Sequence, residues 1–339
     1  MKAWRIIEPG NLNLEEMPSR AAENKYVKVK ISYSALSDTD RLIYLGQMPP
    51  KQFPITLGRL GVGMVSEIGA DVTSVVRGDR VVIDPYVFCD ACAPCRDGRF
   101  VDCLDLKMYG VHEDGFLADF AIVPEDDLFK LPDRVKDNDA IFAGHVAMAM
   151  NVVSKLNLEK GEHLVVMGAS VVGILLAQVA MYYQAVPIIV DTRQDRLEIA
   201  EKLGIYYCVN SVNEDVQKKI LSLTGGSMAE ALCHMSFTDG PLSRSLEYVA
   251  PNGRVAIAGW SGTKPELSAS FASVFARQLK VYGVSNGAKL IPAAINMLAN
   301  KVVSAAPLIS KEIDFASVGD TLKEQSEHPN KYIKVLVRM

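Results

Sequence analysis

Leu164-Val165-Val166-Met167-Gly168-Ala169-Ser170-Val171-Val172-Gly173 is the stretch on which the fold turns. A short apolar run ends in a glycine-bounded turn, a helix-compatible stretch follows to about Gln184, and a second apolar run occupies Val186-Pro187-Ile188-Ile189-Val190. Strand, tight turn, helix and strand make a βαβ unit. In a dinucleotide fold the first glycine of such a turn permits the sharp reversal and the last permits close helix–strand packing. The middle one lets the backbone approach a pyrophosphate seated on the helix N-terminus. Here Ser170 occupies the middle position, so the motif is imperfect and a chance glycine-rich turn competes with it. Asp191 closes the second strand 23 residues beyond Gly168, near the spacing expected of the acid that binds ribose hydroxyls. A helix N-cap is the competing reading of Asp191. The expected cofactor contacts are Gly168, Ser170, Val171, Val172 and Gly173 in the turn, with Asp191, Thr192, Arg193 and Arg196 around the ribose. An acid at that point repels a 2′-phosphate and favours NAD, while Arg193 offers a cation that leaves NADP open.

Reading outward, the alternation continues. Helical stretches around Arg196–Leu203 and Glu214–Leu223 and another from about Leu242 are interleaved with strand-like Tyr206–Val209, Ala229–Cys233 and Arg254–Ala258. Repeated β and α elements of this kind predict a doubly wound parallel sheet. Before about residue 145 the texture differs. Tyr26–Ser32 alternates apolar and polar residues, Gly61–Gly69 is β-branched and bounded by glycine, and Arg80–Ile83 follows a turn. This half reads as a β-rich, partly barrel-like domain. Tyr332–Arg338 reads as a lone strand returning to it. The expected division is 1–146, 147–284 and 285–339.

Composition restricts the function classes. At 339 residues two domains are the natural expectation. A net charge of −4 gives no electrostatic reason to expect nucleic acid or an anionic membrane as partner. The apolar runs are too short to span a bilayer. Met1–Glu8 carries charges in its apolar run and no cleavage pattern, so the expected location is the cytoplasm.

Four of the six cysteines fall within fifteen residues as C-x2-C-x2-C-x7-C: Cys89, Cys92, Cys95 and Cys103. Four thiolates so spaced can close a tetrahedron around Zn²⁺ with no open position, the mark of a structural site. An iron–sulfur cluster competes, but the loop has no second cluster motif and the chain already offers a site for an organic redox carrier. One structural Zn²⁺ per chain is expected. Cys208 and Cys233 read as small core residues.

The order of these features resembles the medium-chain dehydrogenase/reductase superfamily, in its zinc-type alcohol and polyol dehydrogenase-like branch. The resemblance runs along the whole chain. It includes Phe53–Gly58, Gly61–Val65, Gly78–Val81, the cysteine lobe, Asp114–Phe120, Asp191 and Pro251–Val255. It implies an α/β protein in which a Rossmann domain accompanies an irregular β-rich, GroES-like catalytic domain, with a zinc lobe at about 88–105. It also implies a homodimer or homotetramer acting on small-molecule substrates. The family's catalytic zinc is another matter. Where it has a cysteine, a histidine and a glutamate or cysteine as ligands, this chain has Ser37, Arg59 and Gly144. A cation repels Zn²⁺, and serine and glycine cannot replace a thiolate and a carboxylate. The family's proton relay keeps its hydroxyl as Thr39 but loses its histidine to Leu42.

Without a metal, a developing oxyanion needs other donors. Arg59 is the expected source of permanent charge, with Thr39, Ser37 and Tyr44 as hydrogen-bond donors and His145 as the nearest titratable group. A salt bridge from Arg59 to Asp38 or Asp40 is the bland alternative, and His145, just before a helix, is more often a capping or packing residue than a catalyst. Three functions follow: a zinc-independent dehydrogenase or reductase of a small polar carbonyl or alcohol, an alkene reductase, or a non-catalytic dinucleotide-binding descendant.

Overall fold

The structure, a computed structural model, describes residues 1–235, 242–259, 271–287 and 289–339. It divides into two compact units, one of 1–144, 291–299 and 308–339 and the other of 145–290 and 300–307.

The second unit is built on a six-stranded parallel sheet in the spatial order Tyr207–Asn210, Val186–Asp191, His163–Met167, Ala229–His234, Val249–Ile257, Lys280–Gly283. Its central strands are apolar on both faces because both are covered: Leu164, Val165, Val166, Ile188 and Ile189 are all fully buried. The helix Val171–Tyr182 is itself apolar nearly all round, with nine buried residues, as a helix wedged against a sheet must be. Strand order reverses between His163–Met167 and Ala229–His234, the switch point at whose carboxyl ends such sheets bind ligands. The expected strand from Tyr206 begins one residue later, at Tyr207. The segment 300–307 belongs to this unit although the sequence placed it with the returning chain. The Gln178 amide donates to Ser304 O at 3.2 Å and accepts from Ser304 N at 2.8 Å, tying the segment to the buried helix.

The first unit centres on a seven-stranded sheet running Leu128–Lys130, Arg80–Ile83, Gly61–Ile68, Tyr26–Leu36, Val335–Arg338, Lys311–Asp314, with Phe120–Pro124 also paired to Tyr26–Leu36. The strand expected to end at Ser32 continues to Leu36, because Val335–Arg338 pairs antiparallel with its second half, Val335 opposite Leu36. The last strand thereby joins the chain's C-terminal end to the sheet. Two apolar clusters fill this unit, one around Leu36, Ile43, Leu57 and Leu117 and one around Val29, Ile31, Val81 and Phe116. No helix among the described residues is long and apolar enough to cross a membrane.

Candidate active site

In the dinucleotide unit the glycine turn is held tightly. Gly168 sits at φ +109°, a backbone conformation that glycine adopts without penalty. Ser170 is the N-cap of helix Val171–Tyr182, its hydroxyl accepting from Gly173 N at 3.2 Å. The residue that spoils the glycine motif therefore acts as a helix cap. A Cβ at Gly173 would come 2.1 Å from Gly168 O, so only glycine lets the helix start this close to the turn. Asp191 is buried, and its carboxylate accepts from Ala169 N at 2.6 Å and Arg193 N at 2.8 Å. It is not the cap of the next helix, whose N-cap is Arg193. The carboxylate thus couples the end of the second strand to the turn and retains lone pairs for further donors. Arg193 forms a two-point pair with Asp195, Nε–Oδ1 3.0 Å and Nη2–Oδ2 2.5 Å, and Arg196 keeps a buried Nε without a hydrogen-bond partner. Val171 lies in the first turn of the buried helix with Val172 beside it, and Thr192 follows Asp191 directly. His145, half-buried, is in the first turn of helix Ala143–Leu156 in this same unit.

In the β-rich unit three sequence-distant stretches meet. Gly58 adopts φ +95°, and a Cβ there would lie 2.7 Å from Leu117 N, so the chain turns sharply under Leu117 and delivers Arg59. The Arg59 guanidinium donates to Thr39 Oγ1 and to Tyr86 Oη, each at 3.1 Å, and stands 5.5 Å from the Tyr86 ring centre. It forms no ion pair with a described residue, so the salt bridge to Asp38 or Asp40 is not made. Position 144 closes the same corner: a Cβ on Gly144 would meet Pro85 at 3.3 Å and Leu60 at 3.9 Å.

Ser37 has a different occupation. It caps helix Asp38–Tyr44 in a capping box with Asp40, its hydroxyl donating to Asp40 Oδ2 at 2.5 Å. Asp40 is fully buried and also accepts from Ser37 N and Gly58 N, both at 2.8 Å. The S-x-x-D spacing carried this information in the sequence. Tyr44, at the other end of that helix, lines a separate hollow of about 380 Å³ with Trp4, Leu12 and Gly319.

Two residues enter the site that sequence reasoning passed over. Tyr86 gave no signal. Lys334 gave one, a charge inside the apolar run Tyr332–Val337. It lies one residue before the Val335–Leu36 pair, where the neighbouring strand hands over to Ser37. Lys334 is 5% exposed. Burial pushes its ammonium down to about 8; Asp38 and Asp40 pull the other way, and Arg59 adds to the depression.

The cysteine lobe lies in the β-rich unit. Cys92 stands at the N-terminal boundary of the short helix Ala93–Arg96, and the four Sγ atoms of Cys89, Cys92, Cys95 and Cys103 lie within 4.8 Å of one another. Backbone N–H groups of Cys89 and Cys92 point at the Sγ atoms of Cys103 and Cys89, both at 3.4 Å. The donor set fits a tetrahedral thiolate-bound Zn²⁺, with amides already aimed at the charge the thiolates would carry.

A doubly wound dinucleotide fold together with a β-rich unit bearing a four-cysteine lobe defines a two-domain dehydrogenase. Residues 23–133 match the model of the alcohol dehydrogenase GroES-like domain and residues 171–300 that of the zinc-binding dehydrogenase domain. A zinc-type alcohol dehydrogenase-like protein of Haemophilus influenzae is 33% identical over 99% of this chain and 98% of its own length. The Escherichia coli starvation-sensing protein RspB is 26% identical over 99% of both. An E. coli alcohol dehydrogenase solved with NADH superposes with a TM-score of 0.91 at 24% identity, over 100% of this chain and 99% of that one. The chain belongs to the zinc-type alcohol dehydrogenase-like branch of the medium-chain dehydrogenase/reductase superfamily and is an oxidoreductase.

Proposed function

We propose that this chain moves hydride between a nicotinamide dinucleotide and a small polar carbonyl or alcohol, with a fixed arginine where relatives place a metal. The observation that carries this is the Arg59 guanidinium, held on two hydroxyls and without a carboxylate partner. A cation so placed stabilises negative charge on a reacting oxygen without needing to be recruited. Thr39 accepts from Arg59 and so keeps its own hydroxyl proton to donate to that oxygen. The nicotinamide, when bound, supplies or accepts the hydride. Gly168, Ser170 and Gly173 would seat its pyrophosphate on the helix N-terminus. Asp191 would take the ribose hydroxyls and favour NAD(H) over NADP(H). Cys89, Cys92, Cys95 and Cys103 would hold one zinc that braces the lobe. A cytoplasmic homodimer or homotetramer completes the reading.

The test is a panel of alcohols, ketones and activated alkenes followed through NADH absorbance, with product analysis. Carbonyl or alcohol turnover is expected, and Arg59→Ala should lower kcat/KM roughly 10²–10³-fold, the loss of one oxyanion donor. Arg59→Lys should also fall, because a point charge cannot span two hydroxyls. Undiminished turnover by Arg59→Ala would reject the arginine's role.

A further inference from the structure

Lys334 is the feature that hydride transfer alone leaves unexplained. A buried ammonium is ordinarily paired or neutralised, because removing it from water costs far more than a surface charge does. Lys334 forms no ion pair or side-chain hydrogen bond with a described residue. The two carboxylates that act on it are committed elsewhere. Asp38 is exposed and pairs with Arg41 at 3.4 Å. Asp40 accepts three hydrogen bonds, from Ser37 N, Ser37 Oγ and Gly58 N. Arg59, the remaining charge that acts on Lys334, is also a cation without a carboxylate. It still has an unpartnered buried Nε. Two cations thus flank the corner built by Ser37, Thr39 and Gly58, and one of them is nearly inaccessible to water. One reacting oxygen needs only part of that charge.

We infer that Arg59 and Lys334 together bind an anionic group, carboxylate or phosphate, carried by the substrate near its reacting carbon. The natural substrates are then acidic hydroxy or oxo compounds rather than neutral polyols. This rests on the hydride-transfer reading above, which it sharpens. The guanidinium offers a planar fork matched to a carboxylate or phosphate edge, and the ammonium a compact charge behind it. An anion arriving at Lys334 also restores the ammonium's preference for its proton, so binding near pH 8 takes up protons.

The experiment uses the full-length zinc-loaded protein and its Lys334→Met and Lys334→Arg variants. Turnover is compared on sets sharing one carbon skeleton: a neutral polyol, its aldonate and its phosphate ester. Inorganic phosphate is titrated calorimetrically at pH 8 in two buffers of different ionisation enthalpy. An anionic preference in kcat/KM of roughly 10- to 100-fold, the scale of one or two charge-assisted hydrogen bonds, is expected for the wild type. Lys334→Met should abolish it and Lys334→Arg should retain it, with proton uptake on phosphate binding seen in the wild type and absent in Lys334→Met. Equal turnover of neutral and anionic compounds would overturn the anion site and leave the dehydrogenase reading standing. Turnover of none would reject that reading, while phosphate binding with Lys334-dependent proton uptake would still uphold the anion site and its absence would overturn it. Lost NADH affinity in Lys334→Met with unchanged substrate discrimination would assign the charge to the dinucleotide and overturn the substrate site.

Discussion

Gly173→Ala is a one-methyl test of the dinucleotide turn. The added Cβ would lie 2.1 Å from Gly168 O, against the 3.0 Å that real Cβ contacts essentially never undercut, so helix and turn must separate by about 0.9 Å. Three hydrogen bonds resist that movement: Gly168 N to Val190 O at 2.8 Å, Ala169 N to Asp191 Oδ2 at 2.6 Å, and Gly173 N to Ser170 Oγ at 3.2 Å. Overpacking of this kind costs about 1–3 kcal/mol, and weakening the cap adds about 0.5–1 kcal/mol. Better helix propensity returns about 1 kcal/mol. The net expectation is a loss of about 0.5–3 kcal/mol in urea unfolding. The amides that would face a pyrophosphate move with the turn, so the Kd for NADH, read by fluorescence titration, should rise at least roughly tenfold, which is about 1.4 kcal/mol. Gly283→Ala is the control, since nothing lies within 4 Å of the Cβ it would gain. Unchanged NADH affinity with unchanged or improved stability in Gly173→Ala would refute the close-approach argument and the pyrophosphate site with it.

Asp191→Ala orphans the amides of Ala169 and Arg193, so NADH affinity should fall by tenfold or more and the preference over NADPH should narrow or reverse in parallel titrations. Equal affinity of the wild type for both cofactors would contradict the ribose role. Cys103→Ser should bring zinc content well below one per chain and lower the melting temperature while NADH binding persists, because the lobe belongs to the β-rich unit. Loss of NADH binding in step with zinc would reject a purely bracing role. Lys334 should leave a signature in the pH dependence of stability. Its folded value of about 8 lies below the unfolded 10.5, so the unfolded chain holds the extra proton and stability rises between pH 8 and 10.5. Lys334→Met should remove that rise and add up to about 3 kcal/mol at neutral pH, seen as the wild-type-minus-variant difference in urea unfolding. A difference flat across that window would show that Lys334 is not desolvated.

The doubly wound unit was legible because its strands are buried on both faces and so appear as unbroken apolar runs such as Ile188–Val190, separated by turns. Its membership was less so: 300–307 joins through the paired bonds between Gln178 and Ser304, a tertiary contact with no local pattern. The cysteine lobe was legible from spacing alone, since thiol-to-thiol distance is set by a short loop. The polar corner was only half legible. Thr39 and Arg59, matched separately to the family's relay and ligand positions, are joined by a hydrogen bond. Ser37 and Asp40 form a capping box that the metal-ligand comparison obscured. Tyr44, at the opposite end of helix Asp38–Tyr44 from Ser37, lines another hollow, which its position within the motif did not reveal. Tyr86 reaches Arg59 from a two-residue strand, too short for any periodicity to show. Lys334 needed the knowledge that the last strand has no solvent face: Val335, Leu336 and Val337 are all fully buried.

The central claim is hydride transfer assisted by a fixed arginine and not by a catalytic metal. Its most direct test is zinc content and turnover measured on one preparation of the wild-type protein, with Arg59→Ala beside it. The account predicts a ratio near one zinc per chain, turnover unaffected by a second equivalent of zinc or by chelators too weak to empty the cysteine lobe, and a loss of roughly 10²-fold or more in the variant. A ratio near two, or turnover that appears only when a second metal is supplied, would contradict it.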